Sequence, residues 1–456
     1  MIVMKFGGAT VQDAACVENV AGIVRDRLPL QPVIVVSAMG RTTRGLLEAA
    51  VLASGGSGEA AIRALDRIRE AHDSAAMALV PDWEKTEGCR RIQSHFGELV
   101  QNLNGISILR ELSPQSQDRV LAYGELVATT ILHEAFMRRG IPSVLLDARS
   151  LMVTDDRFTR AAPICDLAFE RIRSAVPSQV RSGKVPVLQG FIGATRDGRT
   201  TTLGFEGSDY TAALAGSALN VSEIQVWKEV PGMMTADPDI VPRPLKVKSI
   251  SYEEAAELTW WGAKVLHPKA VEPAVRENIP IRILCTRHPG SSGTRIEKES
   301  GGCRNPVKSI AYRKPVQLLR IRVDRGAAEE AAPGILNAVQ GAGSSIFSLS
   351  ASGSRLAMTI SPVLKTESLL EDLRGSCDTE LVPNLASITL VGSGLRDRDG
   401  SVESLIRPVA DAGLQIIDYG TSPNACNFVV PEASVFSAVN RLHDHFFSKP
   451  DPDWFE

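Results

Sequence analysis

The sequence predicts an α/β domain built on a mainly parallel sheet, followed by two small ferredoxin-like βαββαβ modules. Three observations carry this. Up to about residue 296, short Val- and Ile-rich runs alternate with helical segments. Most of those runs lack in/out alternation, as strands buried on both faces do. Beyond a polar, glycine-bearing stretch at 297–305 the rhythm changes, and a related order of elements occurs twice.

The expected strands of the first domain are the apolar runs at 1–4, 32–37, 142–146, 185–189, 223–226 and 279–285. An amphipathic pattern begins near Asp13, and helical segments follow at 44–53, 59–78, 121–139, 210–219 and 253–265. In the tail, a strand at 316–323 and a helix at 335–340 precede runs at 345–349 and 356–361. The second pass consists of 386–391, 402–412, 414–419, 427–430 and a helix at 433–446. The expected boundaries are a catalytic domain at 1–297, a linker with the first regulatory strand at 298–315, and modules at 316–385 and 386–450.

Composition excludes several classes. The 456 residues carry a net charge of −3, with 50 basic and 53 acidic residues interspersed, so no nucleic-acid patch or polybasic membrane segment is expected. Seven scattered cysteines have neither a disulfide framework nor zinc spacing, which fits a reduced compartment and no metal site of the protein's own. No apolar run is long enough to span a bilayer. The chain opens on a strand with no basic-then-apolar leader, so a cytoplasmic protein is expected.

The densest signal is Lys5-Phe6-Gly7-Gly8-Ala9-Thr10. Paired glycines let a backbone approach a bulky anion, and a lysine beside the turn suits a phosphate oxygen. A helix start behind it adds free N–H groups and a positive dipole end. A second glycine-rich element spans 200–211 and runs straight into a helix. A third, Trp227-Lys228-Glu229-Val230-Pro231-Gly232, is a strand end followed by turns, the usual place for ligand contacts in a parallel sheet. A fourth, 262–268, puts Lys264 near a helix end that Pro268 closes.

Together these segments resemble the aspartate kinases of the amino-acid kinase superfamily, in order and over nearly the whole chain. Val35-Val36-Ser37-Ala38-Met39-Gly40, Tyr123-Gly124-Glu125, Gln189-Gly190-Phe191-Ile192-Gly193, Gly207-Ser208-Asp209-Tyr210 and Thr235-Ala236-Asp237-Pro238 carry the match between the glycine loops. The resemblance implies a three-layer amino-acid-kinase sandwich followed by two ACT modules. It implies transfer of the ATP γ-phosphoryl group to the β-carboxylate of L-aspartate, the first step of lysine, threonine and methionine biosynthesis. The chain stops at Glu456, so a monofunctional enzyme is expected.

The roles it implies are as follows. Lys5 and Asp209 are catalytic, with Lys5 on the transferring phosphoryl group and Asp209 orienting it. Glu125 receives the substrate's α-ammonium, with Ser37, Thr43, Phe191 and Ser208 as further substrate contacts. Lys5, Gly7, Gly8, Lys228, Glu229, Met234, Asp239, Lys264 and Val265 hold ATP, and Mg2+ arrives with the nucleotide, held mainly through phosphates. A homodimer or higher homo-oligomer is implied, with an amino-acid effector at the ACT modules. The chemistry agrees: a carboxylate with a reference pKa of about 3.9 needs no general base, so positioning and positive charge should dominate.

Departures from the family's pattern fall in the same loops. Phe205 stands where an arginine usually holds the substrate's α-carboxylate, and Arg149, Arg160 and Arg199 are the candidate replacements on matched loops. Glu206 replaces a glycine, and Lys228-Glu229 stand for Thr-Asp. Met234 replaces a tyrosine, and Asp239 an arginine. In the first ACT module Phe347 and Gly353 stand for the two acids of the usual effector segment, so lysine feedback is expected to be weak or absent.

Overall fold

The computed structural model describes residues 1–456 except 205, 264, 265, 267, 300–302, 324–327, 364–365, 374–376, 394, 396–400 and 412, and, within helices, the side chains of 329, 366–368, 372, 401, 402 and 404. Phe205, Lys264 and Val265 therefore lie outside the described residues. The chain divides into two compact units, Met1–Gly232 with Lys269–Lys298, and Met233–Pro268 with Glu299–Glu456.

The first unit is laid out by its strands: β1 (Ile2–Phe6), β2 (Pro32–Val36), β3 (Ser143–Leu146), β4 (Val153–Thr154), β5 (Val185–Gln189), β6 (Ile192–Thr195), β7 (Thr200–Thr202), β8 (Ile224–Lys228), β9 (Ile281–Cys285) and β10 (Thr294–Glu297). Its main sheet runs β3-β5-β2-β1-β8-β9-β10, parallel except for the last pair. β4, β6 and β7 form a small separate sheet. All five residues of β1 and of β2 are buried, which is why these runs read as continuous apolar stretches.

Helices α1 (Ala14–Asp26), α2 (Thr42–Ser54), α3 (Gly58–Leu79), α4 (Glu87–Leu109) and α5 (Pro114–Arg138) cover one face of the sheet. Met4, Phe6, Ile34 and Val36 share a core with them. Side chains alternate along a strand, so Lys5 points to the opposite face, where α7 (Cys165–Arg181) and α8 (Gly207–Leu219) pack; the short α6 is Ala148–Leu151. The result is the three-layer sandwich expected. Caps fix the helix starts: the Asp13 carboxylate accepts from Cys16 N at 2.8 Å, and Ser113 Oγ from Ser116 N at 3.1 Å with Pro114 as the next residue.

The sequence expectation lacked the long helices α4 and α7, and also the shorter α6, Pro268–Arg276 and Thr366–Leu373. α4 carries Gly88, Gly97 and Gly105 between its buried Ile92, Phe96, Leu99, Leu103 and Ile106. α7 contains Pro177, yet buries Ala168, Ile172, Val176 and Val180 at four-residue spacing. α5 begins at Pro114, a full two turns before the expected start.

The second unit holds one antiparallel sheet of β11 (Ser309–Val323), β12 (Ile346–Ser352), β13 (Arg355–Ile360), β14 (Cys377–Val391), β15 (Asp418–Thr421) and β16 (Ala425–Pro431), in the order β12-β13-β11-β14-β16-β15. β11 and β14 each serve two modules. Ser309–Arg313 pair with Ser387–Val391, whereas Leu318–Val323 pair with Cys377–Val382, with a register shift between. The boundaries drawn at 315/316 and 385/386 fall inside these two strands. The helices Ala328–Gly341 and Thr366–Leu373 cover one half, and Ser401–Asp411 and Val435–Phe446 the other. The expected strand at 414–419 forms only at Asp418–Thr421. The helix expected at 253–265 is Tyr252–Trp260, ending before Gly262, whose φ of +117° no helix accommodates.

Candidate active site

The sheet of the first unit delivers its chemistry at the carboxyl ends of adjacent parallel strands. Register pairs Lys5 with Val226, so Lys228, two residues further along β8, rises from the same face as Lys5. Phe6 and Trp227 stack between them on the other face, ring centroids 5.9 Å apart. A cleft of about 600 Å³ opens above the strand ends. Lys5, Gly8, Ser37, Thr43, Glu125 and Phe191 line it, together with Ser208, Asp209 and Lys228. The structure thus gathers at one place residues spread over more than 200 positions of sequence.

Three close approaches shape the cleft, and each needs a glycine. A Cβ on Gly8 would lie 2.7 Å from the Ala38 carbonyl oxygen, because Gly40 N donates to Gly8 O at 2.9 Å and binds the two loops together. A Cβ on Gly190 would lie 2.6 Å from Ser208 Cβ. One on Gly124 would lie 2.9 Å from Ala38 Cβ. Gly7, whose Cβ would stand 3.7 Å from Lys5 Nζ, backs the lysine without lining the cleft.

Lys5 Nζ sits 2.8 Å from Asp209 Oδ1, and both side chains are under a tenth exposed. Asp209 lies in the first turn of α8, whose N-terminus follows Glu206 in the left-handed region (φ 54°). That turn brings the amide groups and dipole of α8 to the cleft. Burial, more than any neighbouring charge, pushes the Lys228 ammonium below its usual range. Asp209 and Glu206 oppose that shift, and Lys5 adds to it. Two lysines and two carboxylates thus surround one volume.

Glu125 is 2% exposed. Its Oε1 accepts from Ala38 N at 3.1 Å, while Oε2 has no hydrogen-bond partner. Burial raises this carboxyl to about 8, against the opposing Ala38 N–H. An acid this dry, with one oxygen unsatisfied, has capacity for a further polar partner from the cleft.

Two residues to which sequence reasoning gave no role hold the walls. Asp118, fully buried on α5, accepts from Thr159 N (2.8 Å), Thr202 N (2.9 Å) and Thr202 Oγ1 (2.7 Å), fixing two lining segments to the helix that carries Glu125. Its pKa is raised, mainly by burial. Gln189 at the end of β5 accepts from Ala148 N and donates to Thr129 Oγ1, both at 2.8 Å. Nothing in sequence flags Asp118, whose partners lie 41 and 84 residues away, and Gln189 stands out only as the first residue of the 189–193 motif.

Other expected residues are not among those lining the cleft. Glu229 turns from the cleft and pairs with Arg287 at 3.0 Å. Met234 and Asp239 belong to the second unit, where the Met234 carbonyl accepts from Ser309 Oγ at 2.7 Å and Asp239 N donates to Asp237 Oδ1 at 2.9 Å. Of the three candidate arginines, Arg149 is held bidentate by Asp147 and Arg199 is paired with Asp197. Both line a separate cavity. Arg160 alone stands beside the cleft loop, its Cα and Cβ 3.5 Å from where a Cβ on Gly204 would lie. Among the described residues, no group of three or more His, Cys, Asp or Glu is placed to hold a metal ion, and no helix is long and apolar enough to cross a membrane.

A sequence model described as the amino acid kinase family matches residues 1–285. Lysine-sensitive aspartokinase 3 of Escherichia coli (strain K12) is 30% identical over 464 residues, covering 98% of this chain and 99% of that protein. The crystal structure of E. coli aspartokinase III in complex with aspartate and ADP superposes with a TM-score of 0.84 at 28% identity, over 98% of this chain and 100% of that one. The structure of the same enzyme in complex with lysine and aspartate gives 0.83 at 29% identity, over 98% and 99%.

Proposed function

This chain belongs to the amino acid kinase family, among its aspartokinases, and from that premise we propose that it transfers the ATP γ-phosphoryl group to the β-carboxylate of L-aspartate, giving 4-phospho-L-aspartate and ADP. The observation that carries the reading is the buried Lys5–Asp209 pair beneath a cleft whose far wall presents the unsatisfied Glu125 oxygen.

The residues divide the work between charge and position. Both reactants are anions, so the obstacle is repulsion, and a preorganised cation at the point of transfer offsets it without rearrangement. Lys5, anchored by Asp209, fills that role. The loop at Gly8 and the first turn of α8 supply backbone N–H groups to phosphate oxygens. Lys228 adds a second cation on the nucleotide side. Glu125 takes the α-ammonium, while Ser37, Thr43, Phe191 and Ser208 shape the substrate pocket. Arg160 is our assignment for the α-carboxylate, because it is the candidate arginine adjoining the cleft.

Mg2+ fits as a passenger of ATP. The cleft carries two carboxylates near the phosphate region, and one, Asp209, is committed to Lys5. Phosphates and water would provide most of the ion's ligands, and the ion would neutralise phosphate charge. The second unit supports an oligomer: its two outer strands leave backbone edges without a strand partner among the described residues, and Leu349 and Tyr419 on them are 45% and 57% exposed. We place the protein in the cytoplasm and read the ACT modules as its regulatory region.

The test is ATP-dependent hydroxamate formation with aspartate, glutamate and other small acids, for the wild type and for Lys5→Ala. Aspartate should be preferred, and Lys5→Ala should lose nearly all turnover. Preference for another acid, or an unchanged rate in the variant, refutes the reading.

A further inference from the structure

Helix α5 is a wall with two wet sides. Gln117, Leu121 and Glu125 line the catalytic cleft. Arg119, Tyr123 and Leu126 line a second, polar cavity of about 330 Å³. Strand β7 is shared in the same way, with Thr202 on the cleft and Thr200 on the second cavity. Three guanidinium groups from three separate elements meet there: Arg119 from α5, Arg149 from α6 and Arg199 from the turn between β6 and β7.

Two of these groups are held in position from outside. Arg149 gives Nε and Nη2 to Asp147 at 3.0 and 2.6 Å, and Arg199 gives Nε to Asp197 at 2.8 Å while lying 5.4 Å from the centre of the Phe158 ring. Each guanidinium carries five N–H donors, so donors remain after these bonds. Arg119 faces the Tyr123 hydroxyl, on the same wall of the cavity. The acid in the lining, Glu98, accepts the Tyr123 hydroxyl at 2.5 Å. Preorganised, partly sheltered guanidinium groups bind planar or tetrahedral oxyanions through paired charge-assisted bonds.

We propose that the cavity walled by Arg119, Arg149 and Arg199 is a second anion site, for a small phosphate- or carboxylate-bearing metabolite, set back to back with the catalytic cleft. It is independent of the kinase reading, because it rests on the arginines and not on the cleft.

Titration calorimetry on the full chain tests it, with inorganic phosphate, glycerol phosphate and malonate as separate arms and chloride as control. At least one oxyanion should bind, and the arm that binds tightest names the source. Arg119→Gln with Arg199→Gln should weaken it by roughly tenfold or more, as loss of two charge-assisted bonds requires, while Lys5→Ala leaves it unchanged. Arg119→Lys with Arg199→Lys, which keeps the charge, should recover part of the affinity. No binding beyond chloride, or binding lost in Lys5→Ala and kept in the arginine variants, overturns the proposal. Hydroxamate activity of the wild type bears on the kinase reading alone.

Discussion

The Lys5 ammonium and the Asp209 carboxylate form a buried ion pair, 2.8 Å apart, between the end of a central strand and the first turn of a helix on the facing layer. The pair ties the end of β1 to the helix whose dipole points at the same volume. Removing one partner leaves an uncompensated buried charge, at a cost of about 3–5 kcal/mol. Removing both leaves none. Lys5→Met and Asp209→Asn should each lower the melting temperature, and the double variant should recover most of the loss. Turnover should behave differently, falling roughly 10²–10³-fold or more in every variant that lacks Lys5. Melting curves and kcat on the same three proteins separate the two effects. A double variant that regains activity along with stability would make the lysine structural.

Much of this was legible, and for a physical reason. Strand ends that meet phosphates need glycine and a cation in a short span, so Lys5–Gly8 and Gly207–Asp209 announce themselves locally. Glu125 was found because it follows Tyr123-Gly124, where Gly124 is forced by contact with Ala38. Asp118 was invisible, and Gln189 was legible only as part of the 189–193 motif, because their roles lie in partners tens of residues distant. Helix α4 hid behind three glycines and α7 behind Pro177, although both carried a regular apolar spacing. Tertiary burial of that stripe outweighed the propensity penalty, about 1 kcal/mol for each glycine. The interleaving of the two C-terminal modules was hard to place because β11 and β14 each run through both.

With Glu125 as the proposed ammonium partner, aspartate binding should depend on pH. Its carboxyl is raised to about 8 by burial, so the free protein carries it protonated at neutral pH. An ammonium ion favours the carboxylate, so binding aspartate expels a proton. KM for aspartate should therefore fall as pH rises, by up to about tenfold per unit, and level off above about 8. Calorimetry in buffers of different ionisation enthalpy should register proton release. Glu125→Gln should flatten the pH profile and raise KM throughout. The stability sign follows the same raised value: the contribution is full below the ordinary carboxylate range and is lost as pH climbs through 8. Glu125→Gln should thus gain on the wild type at pH 9 in a melting experiment, and a wild type whose relative stability grows with alkalinity contradicts the assignment.

Lys228 should act on the nucleotide and not on the amino acid. It stands at the end of β8, on the same sheet face as Lys5, in a volume shared with Asp209 and Glu206. A cation bonded to a phosphate is worth about 1.5–3 kcal/mol. Lys228→Thr should raise KM for ATP roughly 10–100-fold by that measure and leave KM for aspartate within about threefold. Lys228→Arg should retain part of the ATP affinity. Steady-state kinetics with each substrate varied in turn decides it. A defect confined to aspartate would move Lys228 out of the nucleotide site.

Phe347 decides the regulatory expectation. At the position where the effector segment of relatives usually carries an acid, its ring lies 4.4 Å from the Arg313 guanidinium carbon and meets the Trp260 ring edge-on at 6.3 Å. Its carbonyl accepts Trp260 Nε1 at 3.1 Å. That position is thus taken by an aromatic and cationic clamp joining β12 to the end of the helix Tyr252–Trp260, where Arg313 would repel an incoming ammonium group. Gly353, at φ +58° in the turn after β12, offers no side chain in place of the second acid. Lysine should therefore inhibit weakly or not at all, and threonine titration run in parallel should distinguish a changed effector from none. Phe347→Asp should disrupt the clamp and lower the melting temperature without creating tight lysine inhibition, because Arg313 would pair with the new acid. Potent lysine inhibition of the wild type, at concentrations that inhibit the lysine-sensitive relative, would refute this account of Phe347.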